Sequence, residues 1–374
     1  MSKKFNPLTV SAKYPNCGIP LMLDTYKTCS YNCLYCYSYN RVILGNKEID
    51  NQPNFKWMKN LFKRIFDENN YNKSNFLHCL LKERITLHGG VQCECFQPIE
   101  KKLKRTQKAV EICNEYDLDI LFTTKTDNLY SVPINPNNHS FSLSISNLHN
   151  DSLEPNVPSI DKRYEFFKKL KDEGYNVSIR LEPFIPTLTE WREIIDKFED
   201  ADHFHIECIR LTPQNKENVN MILKKINMDK SQFKQKGMLR LWEDYRLELY
   251  QQILDYFNEK GLSYSFNDSD MHHLSNNSCC CGDKLVKKTT TFNKPYLYHK
   301  YGINYNYSNL MDELGTMCDC NVRSLFASNR VGNLKTISEF YKDRWDSSKS
   351  PMSPKSTYKP ELIQQNTLRK WINN

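Results

Sequence analysis

Short apolar runs rich in β-branched and aromatic residues alternate along the chain with stretches in which apolar residues recur every three or four positions. The first pattern predicts strands and the second predicts amphipathic helices. Six strands are predicted in the first two-thirds of the chain, at residues 20–26, 84–91, 119–125, 140–146, 176–182 and 203–211. Because strands that alternate with helices usually build a parallel sheet, the pattern predicts an α/β fold.

Two of the helical stretches have clear starts. One follows Pro98, with apolar positions from Ile99 to Cys113, and the other follows Ser159 and ends near Gly174. Both are expected to pack outside the sheet. Six strands with outer helices predict a partial (β/α)6 barrel, in which ligands bind at the carboxyl ends of the strands.

The last third of the chain has a different character. A long helix is predicted over residues 231–260, and the sequence then becomes polar and contains five cysteines. We therefore predict an N-terminal extension at 1–19, the partial barrel at 20–262, a cysteine-containing accessory region at 263–345, and a flexible tail at 346–374. Residues 362–372 of that tail could form a short helix.

Composition narrows the class of protein only modestly. The 374 residues carry a formal charge of +8 with 22 tyrosines and 19 phenylalanines, which suits a polyanionic partner but equally suits an ordinary mixed-charge surface. Neither an apolar leader nor a stretch long enough to span a membrane is present, so we expect a cytoplasmic protein with no membrane partner. The 14 cysteines are dispersed, which favours reduced thiols and metal binding over disulfides.

Three of these cysteines carry the strongest chemical signal. Cys29, Cys33 and Cys36 stand in the run Cys-Ser-Tyr-Asn-Cys-Leu-Tyr-Cys, directly after the first predicted strand. Three thiolates can hold three irons of a [4Fe-4S] cluster and leave the fourth iron open for a small ligand. The alternative is a zinc knuckle, for which a fourth ligand at short spacing is missing.

This cysteine run, placed after the first strand of a partial barrel, resembles the motif of the radical SAM superfamily. The resemblance implies a [4Fe-4S] cluster whose open iron binds S-adenosyl-L-methionine, and a one-electron reductant such as flavodoxin or ferredoxin. Reductive cleavage of S-adenosylmethionine would then give a 5'-deoxyadenosyl radical that abstracts hydrogen from a substrate, while the protein binds and orients the reactants.

Four further segments resemble one branch of that superfamily, the spore photoproduct lyase or DNA repair photolyase-like branch. They lie at residues 95–100, 122–127, 153–163 and 179–186. The chain departs from that branch after the second strand, where Glu94-Cys95-Phe96 replaces an acidic residue followed by Pro-Tyr.

The resemblance implies a set of cofactor-binding residues at strand ends. Tyr35 would lie near the adenine, although a packing role suits it as well. Gly89 and Gly90 would let the backbone approach the methionine moiety, unless they only form a turn. Glu94 would keep the acidic role toward the amino group. Lys125 would meet the carboxylate, unless it extends to solvent as a surface lysine.

Other strand residues extend this set. Ser144 and Ser146 share one face of the fourth strand, and Arg180 and Glu182 share one face of the fifth. Arg180 and Glu182 could face the lumen of the barrel and pair with each other, or Arg180 could meet an anionic ligand.

The remaining cysteines suggest two further roles. Cys93 and Cys95 are candidate hydrogen-atom donors because the S–H bond is weak, and the alternative is that they are small buried hydrophobes. The accessory region could hold a second iron-sulfur cluster or a zinc ion with help from His272 and His273; its candidate ligands are Cys279, Cys280, Cys281, Cys318 and Cys320. Since consecutive residues point in different directions, at most about two of Cys279, Cys280 and Cys281 are expected to ligate.

Three functions remain open at this level. The first is a radical SAM enzyme acting on a nucleic-acid base or nucleotide, in DNA, RNA or free form. The second is the same chemistry on a peptide or small metabolite. The third is a non-catalytic, zinc-stabilised nucleic-acid-binding protein.

Overall fold

A computed structural model describes residues 4–11, 17–38, 51–149, 151–212, 216–236, 238–268, 271–290, 297, 300–301, 305–325 and 331–346. Its strands are β1 (Lys4–Phe5), β2 (Leu8–Val10), β3 (Leu21–Leu23), β4 (Gln52–Pro53), β5 (Leu87–Gly89), β6 (Ile120–Thr124), β7 (His139–Ser144), β8 (Val177–Phe184), β9 (His203–Cys208), β10 (Arg210–Leu211), β11 (Phe233–Lys236), β12 (Met238–Leu241) and β13 (Tyr264–Phe266). Eight of these strands form one sheet in the order β13-β9-β8-β7-β6-β5-β3-β2. All of its neighbours pair in parallel except β2 with β3.

The helices are α1 (Phe55–Phe62), α2 (Phe76–Lys82), α3 (Glu100–Leu103), α4 (Arg105–Asn114), α5 (Ile160–Asp172), α6 (Trp191–Lys197), α7 (Lys216–Lys225), α8 (Glu243–Lys260), α9 (Tyr307–Leu314) and α10 (Ile337–Asp346). A wider π-type turn at Lys63–Asp67 continues α1. The mixed α/β class and the mostly parallel sheet confirm the predicted partial barrel.

All six predicted strands are present, as β3 and β5 to β9. Two edge strands were not predicted. Both β2 and β13 have three residues and lie at the two edges of the sheet. Because β13 pairs with β9, the sheet extends past residue 262 into the range that we assigned to the accessory region.

Two helix predictions need correction. The helix after Pro98 is interrupted at Lys104, whose left-handed φ of 50° separates α3 from α4. The predicted helix over 231–260 begins only at Glu243. The residues before it form the antiparallel hairpin of β11 and β12, in which Leu239 and Leu241 are buried at every second position, a strand period and not a helical one.

The two faces of the sheet differ in chemistry. On the helix-covered face, Phe122, Phe141, Ile179 and Phe204 are fully buried in the main hydrophobic core. Residues at the alternate positions of the same strands are polar and equally buried: Ser142, Arg180, His203 and His205. A parallel sheet with one apolar and one polar face positions its polar face as the wall of a binding cavity.

The C-terminal helices belong to this same core. Leu310 of α9 and Phe340 of α10 are buried in the cluster that contains the barrel side chains. The backbone N–H of Asn321 donates to the carbonyl of Ser74 at 2.8 Å, next to α2. Among the described residues, no helix is both long and apolar enough to cross a membrane. The predicted tail helix at 362–372 lies outside the described residues.

Candidate functional site

The cysteine run lies in the loop that follows β3, at the carboxyl ends of the parallel strands. Gln97 fixes its start, since its side chain donates to the carbonyl of Thr28 at 2.9 Å and accepts from the N–H of Ser30 at 3.0 Å. The segment after β7 fixes its middle, because the N–H of Leu34 donates to the carbonyl of Leu153 at 2.9 Å. Two other strand ends therefore orient the loop.

In this loop the Cys33 thiol is buried, and Cys29 and Cys36 are half-buried. Burial raises the pKa of Cys29 to about 11, against the lowering effect of hydrogen bonds from the backbone of Glu94 and Tyr31. Burial also raises the pKa of Cys33, and the Glu154 carboxylate adds to the effect. Bound iron would remove these protons, because a coordinated thiol is held as the thiolate.

The spacing of the three sulfurs bears on the kind of metal centre. Around a single zinc ion, with Zn–S bonds of ~2.3 Å, sulfurs lie roughly 3.8 Å apart. In the described part of the chain, Cys29, Cys33 and Cys36 do not form a group whose ligand atoms lie within 4.8 Å of one another, whereas two other groups do. In this structure at least one pair of the three sulfurs is therefore further apart than the ligands of one zinc ion.

Glu94 lies beside this loop with its carboxylate buried. One oxygen accepts from the Thr124 hydroxyl at 2.6 Å and from the N–H of Phe96 at 3.1 Å, and the other accepts from the N–H of Lys125 at 2.9 Å. Burial raises the pKa of Glu94, and these hydrogen bonds oppose the rise. A carboxylate can accept about four hydrogen bonds, so Oε2 keeps capacity for an ammonium group.

Lys125 already has a carboxylate partner within the chain. Its Nζ lies 3.8 Å from Oε1 of Glu154, and Arg163 lies 3.3 Å from the other oxygen of the same carboxylate. Burial of Glu154 disfavours its charge, but Lys125 and Arg163 hold its pKa below the ordinary value. Glu154 therefore already offsets the charge of Lys125. Burial of Lys125 by itself does not decide between contact with a cofactor carboxylate and extension to solvent, the two roles predicted for it.

Tyr35 completes this group from the cysteine loop. Its hydroxyl donates to Oε1 of Glu154, and its ring faces Lys125 with the ammonium 5.9 Å from the ring centre. The phenol thus connects the loop to the segment after β7. Glu154 lies between the cysteine loop and the ends of two strands, although we did not single it out as a site residue.

Gly89 and Gly90 are required by the neighbouring strand. A Cβ on Gly89 would lie 2.5 Å from the Phe122 ring. A Cβ on Gly90 would lie 2.4 Å from the carbonyl oxygen of Thr123, and its φ of +78° is left-handed. The contact with β6 explains both glycines without a ligand, so close approach to a cofactor stays a prediction.

The two cysteines after β5 have different surroundings. Cys95 is fully buried in the main core, within hydrogen-bond range of the Thr25 hydroxyl at 3.9 Å. Cys93 is buried outside that core, where burial raises its pKa and the nearby Cys29 and Asp24 add to the rise. Of the two candidate hydrogen-atom donors, Cys93 is therefore the one electrostatically coupled to the cysteine loop.

Arg180 and Glu182 do pair along β8, one of the two alternatives predicted. Arg180 also lies 2.9 Å from Nε2 of His205 on β9. Burial lowers the pKa of His205 and the Arg180 charge lowers it further, while the Glu182 carboxylate, 3.1 Å from Nε2, opposes the lowering. The Nδ1–H of His205 donates to the carbonyl of Cys280 at 2.6 Å.

Ser142 and Ser144 belong to β7, and Ser146 follows two residues after its end. The Ser142 hydroxyl accepts from Nε of Arg180 at 3.3 Å. Ser144 contributes its backbone carbonyl, which accepts from Arg163 at 2.8 Å. Ser146 is fully buried next to Asn147, whose amide donates to its hydroxyl at 3.1 Å.

The structure does not bring the five predicted accessory cysteines together. Cys320 lies 3.3 Å from Cys79 of α2, and Cys318 lies 3.7 Å from the carbonyl of Met311 on α9. The sulfurs of Cys279, Cys280 and Cys281 all lie within 4.8 Å of one another. That at most about two of them ligate a metal stays a prediction. His272 hydrogen-bonds the carbonyl of Asn267 and is not in that group, and the side chain of His273 lies outside the described residues.

Comparison with known proteins gives matches only among solved structures. No family model and no curated protein matches the chain. Spore photoproduct lyase complexed with dinucleoside spore photoproduct matches with a TM-score of 0.52 and 18% identity, over 70% of this chain and 79% of that one.

Two variants of that enzyme match in the same way. A single-residue variant gives a TM-score of 0.53 and 16% identity, over 71% of this chain and 81% of that one. A double variant with bound AdoMet and dinucleoside spore photoproduct gives a TM-score of 0.52 and 17% identity, over 69% and 78% of the two chains. The chain therefore has the partial-barrel fold of spore photoproduct lyase, and its predicted resemblance to that branch of the radical SAM superfamily is confirmed at the level of the fold.

Proposed function

We propose that this protein is a radical SAM enzyme in which Cys29, Cys33 and Cys36 hold a [4Fe-4S] cluster. Such a cluster, once reduced by a flavodoxin or ferredoxin, would supply the electron that cleaves S-adenosylmethionine to a 5'-deoxyadenosyl radical. The observation that carries the proposal is the position of three cysteines, one buried and two half-buried, on one loop at the carboxyl end of β3, in a fold shared with a protein whose solved structure contains AdoMet.

The surrounding residues have separate tasks in this proposal. Glu94 offers the remaining acceptor capacity of Oε2 to the amino group of the methionine moiety. Lys125 offers its ammonium to the carboxylate, sharing its charge with Glu154. Cys93 is the favoured hydrogen-atom donor of the pair, since Cys95 is enclosed in the core. Gly89 and Gly90 hold the end of β5 close against β6.

The substrate that we propose is a nucleic-acid base or nucleotide. Support comes from the net charge of +8 and from the polar wall that contains Arg180 and His205. The similar solved structures hold a dinucleoside, but at 16–18% identity they argue for the fold alone.

The cluster proposal is tested by anaerobic reconstitution. Wild-type protein should bind iron and sulfide, show the broad visible absorption of an iron-sulfur cluster, and convert S-adenosylmethionine to 5'-deoxyadenosine after reduction. Replacing Cys29, Cys33 and Cys36 together by Ala should abolish all three properties, whereas Cys318→Ala, a half-buried cysteine elsewhere, should keep them. Wild-type protein that stays colourless and loses zinc in the triple variant would show that the structural zinc alternative is correct. A triple variant with wild-type iron content would show that the iron is bound elsewhere.

Substrate class requires a second experiment. Binding to single-stranded and double-stranded oligonucleotides should weaken steeply with salt, with a slope that reports several phosphate contacts. Transfer of deuterium from a labelled nucleoside or oligonucleotide into 5'-deoxyadenosine would identify the hydrogen that is abstracted. Absence of oligonucleotide binding at low salt, combined with active cleavage of S-adenosylmethionine, would point instead to a peptide or small metabolite.

A further inference from the structure

A second group of thiols lies at the opposite end of the strands from the cysteine loop. The segment 279–290 passes beneath the amino ends of the sheet, where the carbonyl of Leu285 accepts from the Ser140 hydroxyl at 2.7 Å. The carbonyl of Lys288 accepts from the N–H of Thr86 at 3.1 Å. This segment therefore closes the barrel at its amino end, away from the proposed cluster.

A tight turn gathers the three cysteines at the start of this segment. The N–H of Gly282 donates to the carbonyl of Cys279 at 3.0 Å. Gly282 has a left-handed φ of +88°, and a Cβ there would lie 2.6 Å from the ring of His203. Only glycine lets the turn lie this close to β9, and the turn brings three consecutive side chains to one place.

The distances between the sulfurs suit a single ion. The three Sγ atoms lie within 4.8 Å of one another, and those of Cys280 and Cys281 are 4.0 Å apart. Four thiolates around one zinc ion stand roughly 3.8 Å apart, given Zn–S bonds of ~2.3 Å. An iron-sulfur cluster is a larger body and needs its ligands further apart, so these sulfurs fit zinc better.

Hydrogen bonds hold the backbone of the triplet in place. The carbonyl of Cys280 accepts from Ser265 and from His205, both at 2.6 Å. The N–H of Cys279 donates to Asp283 at 3.1 Å. Such outer partners orient metal ligands before the ion arrives and raise its affinity.

A fourth thiol and a compensating cation are close by. Cys17, just before β3, packs against the buried cluster that contains Cys279 and Cys281, and it interacts electrostatically with Cys280. Its sulfur is not among the three that all lie within 4.8 Å of one another, so as a fourth ligand it would move toward the triplet when the ion binds. Arg180 interacts electrostatically with Cys280 and Cys281. Because zinc with four thiolates carries a net negative charge, a buried guanidinium beside it offsets part of that charge.

We propose that Cys279, Cys280 and Cys281, with Cys17 as the fourth ligand, bind one structural Zn²⁺ at the amino end of the barrel. Binding releases the thiol protons and involves no redox step. The ion joins the segment before β3 to the segment after β13, and these segments flank opposite sides of the open sheet. Its function is to hold the incomplete barrel closed.

The test is metal analysis of the full-length protein in the background that lacks Cys29, Cys33 and Cys36, so that no metal at the cluster loop contributes. About one zinc ion per chain should remain, and X-ray absorption at the zinc edge should show four sulfur ligands at ~2.3 Å. Cys280→Ser should lose the zinc, and Cys318→Ser should keep it. Cys17→Ser should replace one sulfur neighbour by a lighter atom.

Three results would overturn the proposal. The first is a folded protein without zinc after expression in zinc-replete medium. The second is iron and sulfide in the triple-cysteine background, which would indicate an accessory iron-sulfur cluster at this place. The third is a zinc environment with fewer than four sulfurs. Because the absorption spectrum is recorded on protein with an intact triplet, it decides the matter even if Cys280→Ser does not fold.

Discussion

Glu154 is a buried carboxylate that lies between two cations and a phenol. Its side chain is 2% exposed, Lys125 and Arg163 are its ionic partners, and Tyr35 of the cysteine loop donates to it. A buried charge of this kind is stable only as long as each partner is present. The residue thus links the cysteine loop to α5 and to the end of β6.

We predict that Glu154→Gln lowers the free energy of unfolding by about 3–5 kcal/mol, because Lys125 and Arg163 would be left as buried charges without a counter-ion. Urea unfolding under anaerobic conditions measures the change. The matched control is Glu193→Gln, in which a carboxylate that is 66% exposed loses its partner His149 and should change stability by less than about 1 kcal/mol. Equal effects in the two variants would contradict the role given to Glu154.

Local spacing explains which site residues could be predicted. Cys29, Cys33 and Cys36 lie within one loop, so their pattern is visible in the sequence alone. Glu154 acts on Tyr35 across a separation of 119 residues, and such a contact becomes visible only once the strands are assembled. For the same reason, the sequence could not show that the Cys320 thiol lies 3.3 Å from the Cys79 thiol, away from Cys281.

At the scale of elements, the end of β5 is where the sheet and the site meet. Gly90 turns the chain there with φ +78° and lies directly against the carbonyl of Thr123. Gly174, after α5, has a similar φ of +83° but has nothing within 4 Å of the place where a Cβ would be. Both glycines have the same kind of strained backbone, but only at Gly90 would a side chain also meet a neighbouring strand. Comparing substitutions at the two positions therefore distinguishes the cost of the backbone conformation from the cost of steric contact.

We predict that Gly174→Ala lowers the free energy of unfolding by about 1 kcal/mol, the conformational cost of a positive φ for alanine. Gly90→Ala should cost clearly more, because β5 or β6 must also move to relieve the contact. Chemical unfolding of both variants measures the difference. If the two variants lose the same free energy of unfolding, β6 can shift away from residue 90 without cost, and the contact with Thr123 is not the reason for glycine at this position.

Length alone does not explain which strands could be predicted. The six predicted strands have three to eight residues, and β2 and β13, which were not predicted, have three residues each, as do β3 and β5. The hairpin of β11 and β12 was merged with α8 because the apolar residues at 239 and 241 precede a long amphipathic helix without an obvious break. The boundary between the hairpin and α8 is set by the pairing of β11 with β12, and not by the secondary-structure propensity of the residues themselves.

Across the whole molecule, buried histidines should make stability depend on pH. His139 is buried, and its Nδ1 accepts from the N–H of Asn135 at 2.9 Å, so the folded state holds the neutral ring. Burial lowers its pKa from 6.5 to about 4, and the charge of Lys287 adds to the effect. Between about pH 6.5 and pH 4, His139 is therefore protonated in the unfolded chain and neutral in the folded chain.

We therefore predict that the contribution of His139 is complete above pH 6.5 and falls by about 1.4 kcal/mol per pH unit until about pH 4. Urea unfolding at a series of pH values should show a slope that is shallower by that amount in His139→Gln. His149→Gln is the control, because the His149 side chain is 70% exposed. An unchanged slope in His139→Gln would show that the ring titrates alike in both states.

The contacts of Tyr35 with Glu154 and of Leu34 with Leu153, which hold the cysteine loop, also bear on the order of events during synthesis. Tyr35 and Glu154 are 119 residues apart, and Leu34 is held by Leu153. During synthesis the three thiols leave the ribosome long before the groups that orient them have been made. Iron delivered to chains stalled before residue 153 should therefore bind less firmly than iron delivered to released chains. Under the proposed function, stable loading of the cluster would follow translation of Glu154.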